Sequence, residues 1–272
     1  DVERSRGLGD VYKRQVQRAI FLIQEKSIQP EQIFIATFTE KAAKELITRI
    51  TNELAVRNIS ANVNEMYVGT FHSLCLRIIK ENLEHTRLKR NYRLLDTFDQ
   101  KYLVFRNMHR FKNIEGIEEA LSKGGSWKWS EEICNYVNNL SEELVDADAL
   151  AADPDIAVRV LADMLVTYQT LLTEENLIDF SAIQTECYRL LTEKPDILEA
   201  LREKIGYIMI DEYQDTNRLQ YLLMKQLVGE KGNICVVGDD DQSIYKFRGA
   251  DITNILNFEK EYKGCRTIRL EQ

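Results

Sequence analysis

The stretch YIMIDEYQDTN, residues 207–217, joins a fully apolar run to a cluster of acidic residues. Such a run predicts a buried strand of a parallel sheet. Ligands of open α/β sheets bind at the carboxyl ends of strands, which is where Asp211 and Glu212 stand. The first carboxylate can orient Mg²⁺, directly or through water, and the second can position an attacking water. Solvated loop charges, with Asp215 only capping the next helix, are the alternative for a bare Asp-Glu pair.

The segment VVGDDDQSIYKFRGA, residues 236–250, also follows an apolar run and places polar residues beside aromatic and basic ones. Gln242 can hydrogen-bond a phosphate oxygen, and Tyr245 and Phe247 offer faces on which bases stack. Arg248 can pair with a backbone phosphate. One loop can therefore contact a nucleotide on one side and a single strand of nucleic acid on the other. A calcium loop at 239–241 is disfavoured, because the glutamate twelve positions along is absent.

Apolar runs alternate with amphipathic helical patterns near both ends of the chain, which predicts an α/β fold. The helices are predicted over residues 39–54 and 216–228, with a further one after residue 70. The strands are predicted at residues 33–38, 66–70, 208–210, 234–237 and 266–270. Strands separated by helices imply a mostly parallel sheet with helices on both faces.

The strand pattern disappears between about residues 92 and 203, which indicates an all-helical domain inserted into the α/β domain. The predicted domains are therefore 16–91, the first part of the α/β domain; 92–203, the insertion; and 204–272, the second part. Helices are predicted within the insertion at residues 98–111, 130–144, 156–172, 180–191 and 197–205.

The net charge of −8 argues, taken alone, against a protein coated with basic surface for nucleic acid. The charge is unevenly distributed, however. Residues 1–111 carry a net +6, residues 112–200 a net −13 and residues 201–272 a net −1. The acidity belongs to the insertion, so we expect nucleic acid to follow the α/β domain and to touch only local basic spots of the insertion.

Composition excludes several other classes. Gly (12) and Pro (3) are too scarce for a collagen-like or low-complexity chain. The cysteines stand far apart and form no C-x-x-C pair, so a zinc site or redox dithiol is disfavoured and small apolar fillers are expected. They are Cys75, Cys134, Cys187, Cys235 and Cys265. No apolar run approaches the roughly 20 residues that cross a bilayer, so no membrane partner is expected.

The two acidic segments resemble motifs II and III of the UvrD/Rep/PcrA group of superfamily 1 DNA helicases. Two further segments fit the same family in the right order. Residues 36–46, ATFTEKAAKEL, resemble motif Ia, a single-strand contact, and residues 69–73, GTFHS, resemble the next DNA-contacting motif. Residues 177–180, LIDF, are similar to a weaker family element. The resemblance spans about residues 16–272.

The resemblance implies a RecA-like P-loop NTPase sheet with ATP and Mg²⁺ as cofactors, and a role for each matching position. Asp211 would help to bind Mg²⁺, Glu212 would activate water and Gln242 would sense the γ-phosphate. The residues implied to face DNA are Phe38, Thr39, Thr70, His72, Tyr245, Phe247 and Arg248. The implied function is ATP-dependent 3′-to-5′ DNA unwinding, with single-stranded and duplex DNA as partners, in the cytoplasm near the nucleoid, alongside repair or recombination proteins.

The chain departs from the family pattern in three places. The phosphate loop, Gly-x-x-x-x-Gly-Lys-[Ser/Thr], is expected before Ile20, where residues 7–14 read GLGDVYKR. Glu40 stands where many members carry Asn, which puts its DNA contact in doubt. We expect residues 1–15 to be non-native or disordered and the chain to be a fragment that lacks a second motor domain. The 272-residue chain alone is therefore expected to have negligible ATPase activity.

Two alternatives stay open from the sequence. One is the motor part of a helicase–nuclease subunit, which resembles a stand-alone helicase in its first domain. The other is a non-catalytic single-stranded DNA-binding module that has lost the phosphate loop. The acidic pair and Gln242 argue against the second, since a module without hydrolysis has no physical need for them.

Overall fold

The computed structural model describes residues 2–231, 233–239 and 251–268, with side chains described from Arg14 onward except at position 231. The chain divides into two compact units. The first, called the sheet unit here, comprises Asp1–Leu74 and Leu191–Gln272. The second, called the helical unit, comprises Cys75–Leu190.

The described residues form six strands and fourteen α-helices. The strands are β1 Ile33–Thr37, β2 Tyr67–Thr70, β3 Arg93–Leu94, β4 Leu177–Ile178, β5 Tyr207–Ile210 and β6 Ile234–Val236. The helices are α1 Val2–Lys26, α2 Glu40–Val56, α3 Phe71–Glu81, α4 Thr97–Arg106, α5 Met108–Lys112, α6 Ile117–Ala120, α7 Ser126–Glu142, α8 Ala147–Ala151, α9 Ile156–Glu174, α10 Phe180–Glu193, α11 Pro195–Lys204, α12 Arg218–Val228, α13 Thr253–Leu256 and α14 Phe258–Glu261.

The sheet unit is built on a parallel four-stranded sheet in the order β2-β1-β5-β6. β1 is central, and all five of its residues are buried, as expected for a strand covered on both faces. Ile35 lies beside Val68 of β2 and Met209 of β5. Because all four strands run in the same direction, their carboxyl ends meet at one edge of the sheet. That edge receives the segments that follow β1, β2, β5 and β6.

Helices α1 and α2 cover the sheet with apolar side chains at helical spacing. On α2, Leu46, Ile50 and Leu54 recur every four residues and are almost fully buried. The core of this layer joins these residues to the strands. Its buried members are Val16, Ala19, Ile20, Leu22, Ile33, Ile35, Leu46, Ile50, Leu54, Val63, Met66 and Met209.

The helical unit has its own core, in which α9 is the central helix. Among the described residues, α9 is the one helix long and apolar enough to cross a membrane by length and composition. That hydropathy has a simpler cause, because Met164, Leu165 and Leu172 are buried in the core of the unit. Arg159 and Asp163 interrupt the apolar residues of α9, and its packing is that of a core helix.

The predicted α/β fold with a parallel sheet is confirmed, and four predicted strands correspond to β1, β2, β5 and β6. The fifth predicted strand, 266–270, is not observed: residues 266–268 have no regular structure, and residues 269 and 270 lie outside the described residues. Helix α1 begins at Val2; that residues 1–15 are non-native or disordered stays a prediction.

The helical unit corresponds to the predicted insertion but has other bounds, 75–190 rather than 92–203. It also contains a feature that the helical patterns did not predict. β3 and β4 pair in parallel over two residues each, Arg93 with Leu177 and Leu94 with Ile178. Strands this short carry no periodicity that a sequence pattern can show.

Replacing Thr39 with Ala should lower the free energy of unfolding by about 1 kcal/mol. Thr39 is the N-cap of α2, and its side-chain oxygen accepts a hydrogen bond from the Ala42 N–H at 3.1 Å. Urea unfolding without nucleic acid measures the change. Thr48→Ala, at an exposed position inside the same helix, is the control and should be neutral or slightly stabilising. Equal effects of the two substitutions would contradict the capping role.

Candidate functional site

The candidate site begins where β5 ends, at the edge of the sheet. The Asp211 N–H donates to the Ala36 carbonyl of β1 at 2.9 Å, which extends the strand ladder to the first acidic residue. Asp211 is only 4% exposed. The turn of 3-10 helix at Tyr213–Asp215 follows, and α12 begins at Arg218. The acidic pair therefore lies between a buried strand and a helix.

Glu212 has a left-handed backbone conformation, with φ 49° and ψ 46°. A residue with a long side chain pays about 1–3 kcal/mol for such a conformation, so it persists only where surrounding contacts hold it. The Glu212 carbonyl accepts from the Asp215 N–H at 2.9 Å. The Glu212 carboxylate accepts a hydrogen bond from Gln214 Nε2 at 2.7 Å. The strained turn directs the Glu212 carboxylate toward Gln214.

The loop after β6 packs against the same turn. The Val237 N–H donates to the Ile210 carbonyl at 2.8 Å, and the Tyr213 N–H donates to the Val237 carbonyl at 3.0 Å. The Asp239 N–H donates to Gln214 Oε1 at 3.0 Å. The two acidic segments that are separate in the sequence are thus joined by backbone and side-chain hydrogen bonds.

Burial sets the protonation of the acidic residues. Burial raises the pKa of Asp211 to about 7, and the neighbouring Glu212 charge adds to the rise. Burial and the Glu212 charge also raise the pKa of Asp215 to about 6. Asp211 Oδ1 and Asp215 Oδ1 are buried side-chain oxygens without a hydrogen-bond partner. A buried carboxylate oxygen in this state is costly unless a cation or a donor binds it.

The residues at this turn fit a magnesium ion. Mg²⁺ prefers oxygen ligands and is commonly held by one or two carboxylates together with water and substrate phosphates. Asp211 supplies a buried, unpartnered carboxylate oxygen beside the Glu212 carboxylate. Within the described part of the chain, no group of three or more His, Cys, Asp or Glu residues forms a metal cage. The turn therefore fits a hydrated ion shared with a ligand, and does not fit a closed structural site.

The ends of β1 and β2 bring four of the predicted DNA-facing residues to the same sheet edge. Phe38 and Thr39 follow β1 and are exposed, whereas Thr70 ends β2 and His72 lies in the first turn of α3. The strand register places Thr37 beside Thr70. Their positions agree with one continuous patch on the sheet unit; that they contact DNA stays a prediction.

Glu40 is part of this patch. The Thr70 hydroxyl donates to Glu40 Oε1 at 2.8 Å, which links the first turn of α2 to the end of β2. Burial lowers the pKa of His72 below its ordinary value, and the Glu40 charge offsets part of this effect. The His72 ring is therefore neutral near pH 7, where it offers one N–H donor and no charge.

Four predicted site residues lie outside the described residues, namely Gln242, Tyr245, Phe247 and Arg248. The structure in turn adds Gln214, a residue of the acidic motif for which the sequence pattern indicated no role. Its position two residues after Glu212 was visible in the sequence. What identifies Gln214 is the position of its buried amide between the Glu212 carboxylate and the loop after β6. That position follows from the packing of the loop and has no signal in the sequence.

A parallel sheet whose carboxyl edge carries a buried acidic turn is typical of a RecA-like domain. Residues 15–263 match the UvrD/REP helicase N-terminal domain. The chain belongs to this family.

The curated relatives agree with the family assignment. The protein named ATP-dependent DNA helicase PcrA of Bacillus subtilis (strain 168) is 36% identical over 256 residues, which cover 94% of this chain and 33% of the relative. PcrA of Staphylococcus aureus (strain Mu50) is 35% identical over 258 residues, with the same two coverages. The chain thus spans about a third of the length of the curated relatives it matches.

Asp211→Asn should stabilise the protein, and the gain should grow as pH rises from about 4 to 7. The folded-state pKa of about 7 lies above the unfolded value of about 3.9, so the folded state binds an extra proton in this window. The wild-type protein therefore loses stability as pH rises through this window. The Asp211→Asn variant does not, because Asn carries no charge at any pH in the window. The expected gain above pH 7 is about 2 kcal/mol, discounted for relaxation around the charge.

Urea unfolding between pH 5 and pH 8, in the presence of a chelator, measures the difference. The matched control is Asp163→Asn, the same substitution at an exposed position of α9. An Asp211→Asn gain that is equal at both ends of the range would contradict the buried-charge explanation.

Proposed function

We propose that this chain is the first motor segment of an ATP-dependent DNA helicase that moves 3′ to 5′ along single-stranded DNA. The observation that carries the proposal is the buried Asp211–Glu212 turn at the end of β5, in a chain whose family relatives are named ATP-dependent DNA helicases. The turn supplies hydrolysis chemistry, and the exposed patch at the ends of β1 and β2 supplies a surface for a strand.

In this proposal the acidic turn performs the chemistry. Bound Mg²⁺ would neutralise charge that develops on the phosphates during hydrolysis. Asp211 would hold the ion, directly or through water, with its buried Oδ1 oxygen. Glu212 would accept a proton from the attacking water, as an oriented carboxylate can do. Gln242 would hydrogen-bond the γ-phosphate, in keeping with the resemblance to motif III.

The single-stranded DNA would run along the carboxyl edge of the sheet. Phe38 offers an exposed ring for stacking, and Thr39 and Thr70 offer hydroxyls for phosphate oxygens. His72 would donate one neutral N–H. Further along the chain, Tyr245, Phe247 and Arg248 would complete the stacking and phosphate contacts. We place the protein in the cytoplasm, near the nucleoid, with repair or recombination proteins as its partners.

One observation favours a second candidate, a single-stranded DNA-binding module without hydrolysis. Residues 7–14, GLGDVYKR, do not match the Gly-x-x-x-x-Gly-Lys-[Ser/Thr] pattern of a phosphate loop. A module of this kind would bind DNA through the patch at β1 and β2 but would not turn over ATP. The unpartnered Asp211 oxygen favours the helicase, since a binding module gains nothing from a buried carboxylate.

Glu212→Gln, in the protein that the complete gene encodes, should lower the kcat of DNA-stimulated ATP hydrolysis at least 100-fold. Gln keeps the side-chain oxygen that accepts from Gln214 but cannot take a proton from water. Nucleotide binding, measured with a fluorescent ATP analogue and Mg²⁺, should change less than about 3-fold, because the phosphates and ion keep their other contacts.

The control is Glu25→Gln at an exposed position of α1, which should leave both readouts unchanged. Unchanged turnover in Glu212→Gln would refute the role of Glu212. Wild-type protein that binds single-stranded DNA but neither binds nor hydrolyses ATP would decide for the non-catalytic module. A strand-displacement assay on duplexes with a 3′ or a 5′ tail tests the direction.

Glu40→Gln should raise the affinity of the 272-residue chain for single-stranded DNA about 3-fold at low salt. Glu40 places a negative charge beside the predicted contacts, and Gln removes the charge but keeps an oxygen to accept from Thr70. Fluorescence anisotropy with labelled oligothymidine measures the affinity, and the gain should shrink at high salt. Glu25→Gln is again the control. A lower affinity in Glu40→Gln would contradict the patch as the strand-binding surface.

A further inference from the structure

Gln214 lies at the centre of the candidate site and uses both ends of its side-chain amide. The side chain is fully buried. Its Nε2 donates to the Glu212 carboxylate at 2.7 Å, and its Oε1 accepts from the Asp239 N–H at 3.0 Å. One side chain therefore connects the acidic turn after β5 to the loop after β6, across 25 residues of sequence.

Gly238 shows how closely the β6 loop approaches Gln214. A Cβ atom added at position 238 would lie 2.5 Å from Gln214 Oε1 and 2.8 Å from Ile255 Cδ1. A Cβ atom at position 238 would therefore force Gln214 and Ile255, or the loop itself, to move. The backbone at Gly238 is outside the left-handed region, so a side chain there is opposed by lack of space and not by φ. The close approach lets the Asp239 N–H reach the Gln214 oxygen.

The Glu212 carboxylate needs a specific donor to stay in place. Its backbone is in the left-handed region, and its charge is close to two other carboxyl groups, Asp211 and Asp215. Neighbouring like charges repel each other and favour rotation of the Glu212 side chain toward water. The Gln214 Nε2–H bond opposes that rotation, since a hydrogen bond to a charged acceptor is stronger than one between neutral groups.

We propose that Gln214 is a positioning residue that orients the Glu212 carboxylate and fixes it to the loop at Asp239. The proposal rests on the proposed function, in which Glu212 accepts a proton from the attacking water. In this role Gln214 would hold the group that accepts the proton and would not itself take part in the chemistry. The Nε2 donor orients the Glu212 carboxylate. The bond from the Asp239 N–H to Oε1 fixes the orientation of the amide itself.

Two substitutions separate the two halves of this contact. Gln214→Glu keeps an oxygen for the Asp239 N–H, loses the donor to Glu212 and adds a negative charge that repels the Glu212 carboxylate. Gln214→Met has a similar size and loses both. Gln169→Met, at an exposed position of α9, is the matched control. Gly238→Ala, which forces the loop away from Gln214, tests the contact without altering the amide, and Gly125→Ala is its control because its Cβ meets no atom within 4 Å.

The first measurement is amide hydrogen exchange of the 272-residue chain and does not depend on the proposed function. Gln214→Met and Gly238→Ala should speed exchange of the Asp239 N–H at least 10-fold, because each removes or displaces its acceptor. Gln214→Glu, Gln169→Met and Gly125→Ala should leave it unchanged. Equal protection of Asp239 in the wild type and Gln214→Met would overturn the contact itself.

The second measurement is ATP hydrolysis by the protein that the complete gene encodes. Gln214→Glu and Gln214→Met should both lower kcat about 10-fold or more and change the KM for ATP less than about 2-fold. Combined with Glu212→Gln, neither should lower the residual rate further, since the group they orient is already gone. Gly238→Ala should also lower kcat. This variant keeps the test decisive if the Gln214 variants fold poorly.

The outcomes distinguish the two proposals. Full turnover in Gln214→Glu, together with its unchanged Asp239 exchange, would show that Gln214 only joins the loops, and the positioning role would fall. A normal kcat in Glu212→Gln would instead refute the proposed function and, with it, the catalytic part of this inference. Loss of kcat in Gln214→Glu beside an inactive Glu212→Gln variant supports both.

Discussion

The hydrogen-bonded ladder between β1, β5 and β6 is the constraint on which the candidate site depends. Because the three strands are parallel, the ladder ends at one edge, and its last bonds involve the residues that follow the strands. The Asp211 N–H reaches the Ala36 carbonyl, and the Val237 N–H reaches the Ile210 carbonyl. Buried backbone groups must be paired, so these bonds fix where the acidic turn begins. The turn then has few conformations left, and Glu212 adopts the left-handed one.

The same constraint explains why the site is energetically unfavourable by itself. A turn fixed at the end of a buried strand keeps Asp211 out of water, which raises its pKa and leaves one oxygen without a partner. Natural proteins retain such unfavourable features where a bound ligand offsets them, and strained backbone is found at binding sites for the same reason. The left-handed backbone of Glu212 and the buried carboxyl of Asp211 are two unfavourable features at adjacent residues. Together they support the proposed role of the turn more strongly than either feature does alone.

Much of the sheet unit could be predicted from the sequence, because its strands are short, fully apolar and separated by helical patterns. The acidic turn could be predicted too, since its residues are consecutive. The contact of Gln214 with Asp239 could not, because hydrogen bonds across 25 residues have no local signature. The pairing of β3 with β4 was missed for a similar reason. The predicted strand at 266–270 shows the opposite failure, because its β-preferring residues at 266–268 have no strand partner in the described part of the chain.

The order β2-β1-β5-β6 also places the two candidate surfaces in a defined relation. Neighbouring strands are about 4.8 Å apart, so the ends of β2 and β5 are separated by two spacings, about 10 Å, with the end of β1 between them. Thr70 ends β2, Phe38 and Thr39 follow β1, and Asp211 follows β5. A single strand of DNA that lies over Thr70, Phe38 and Thr39 would therefore pass close to the acidic turn. β1 pairs with β2 over Phe34–Thr37 and with β5 over Ile33–Ala36, so the two surfaces stand at neighbouring strand ends of one sheet.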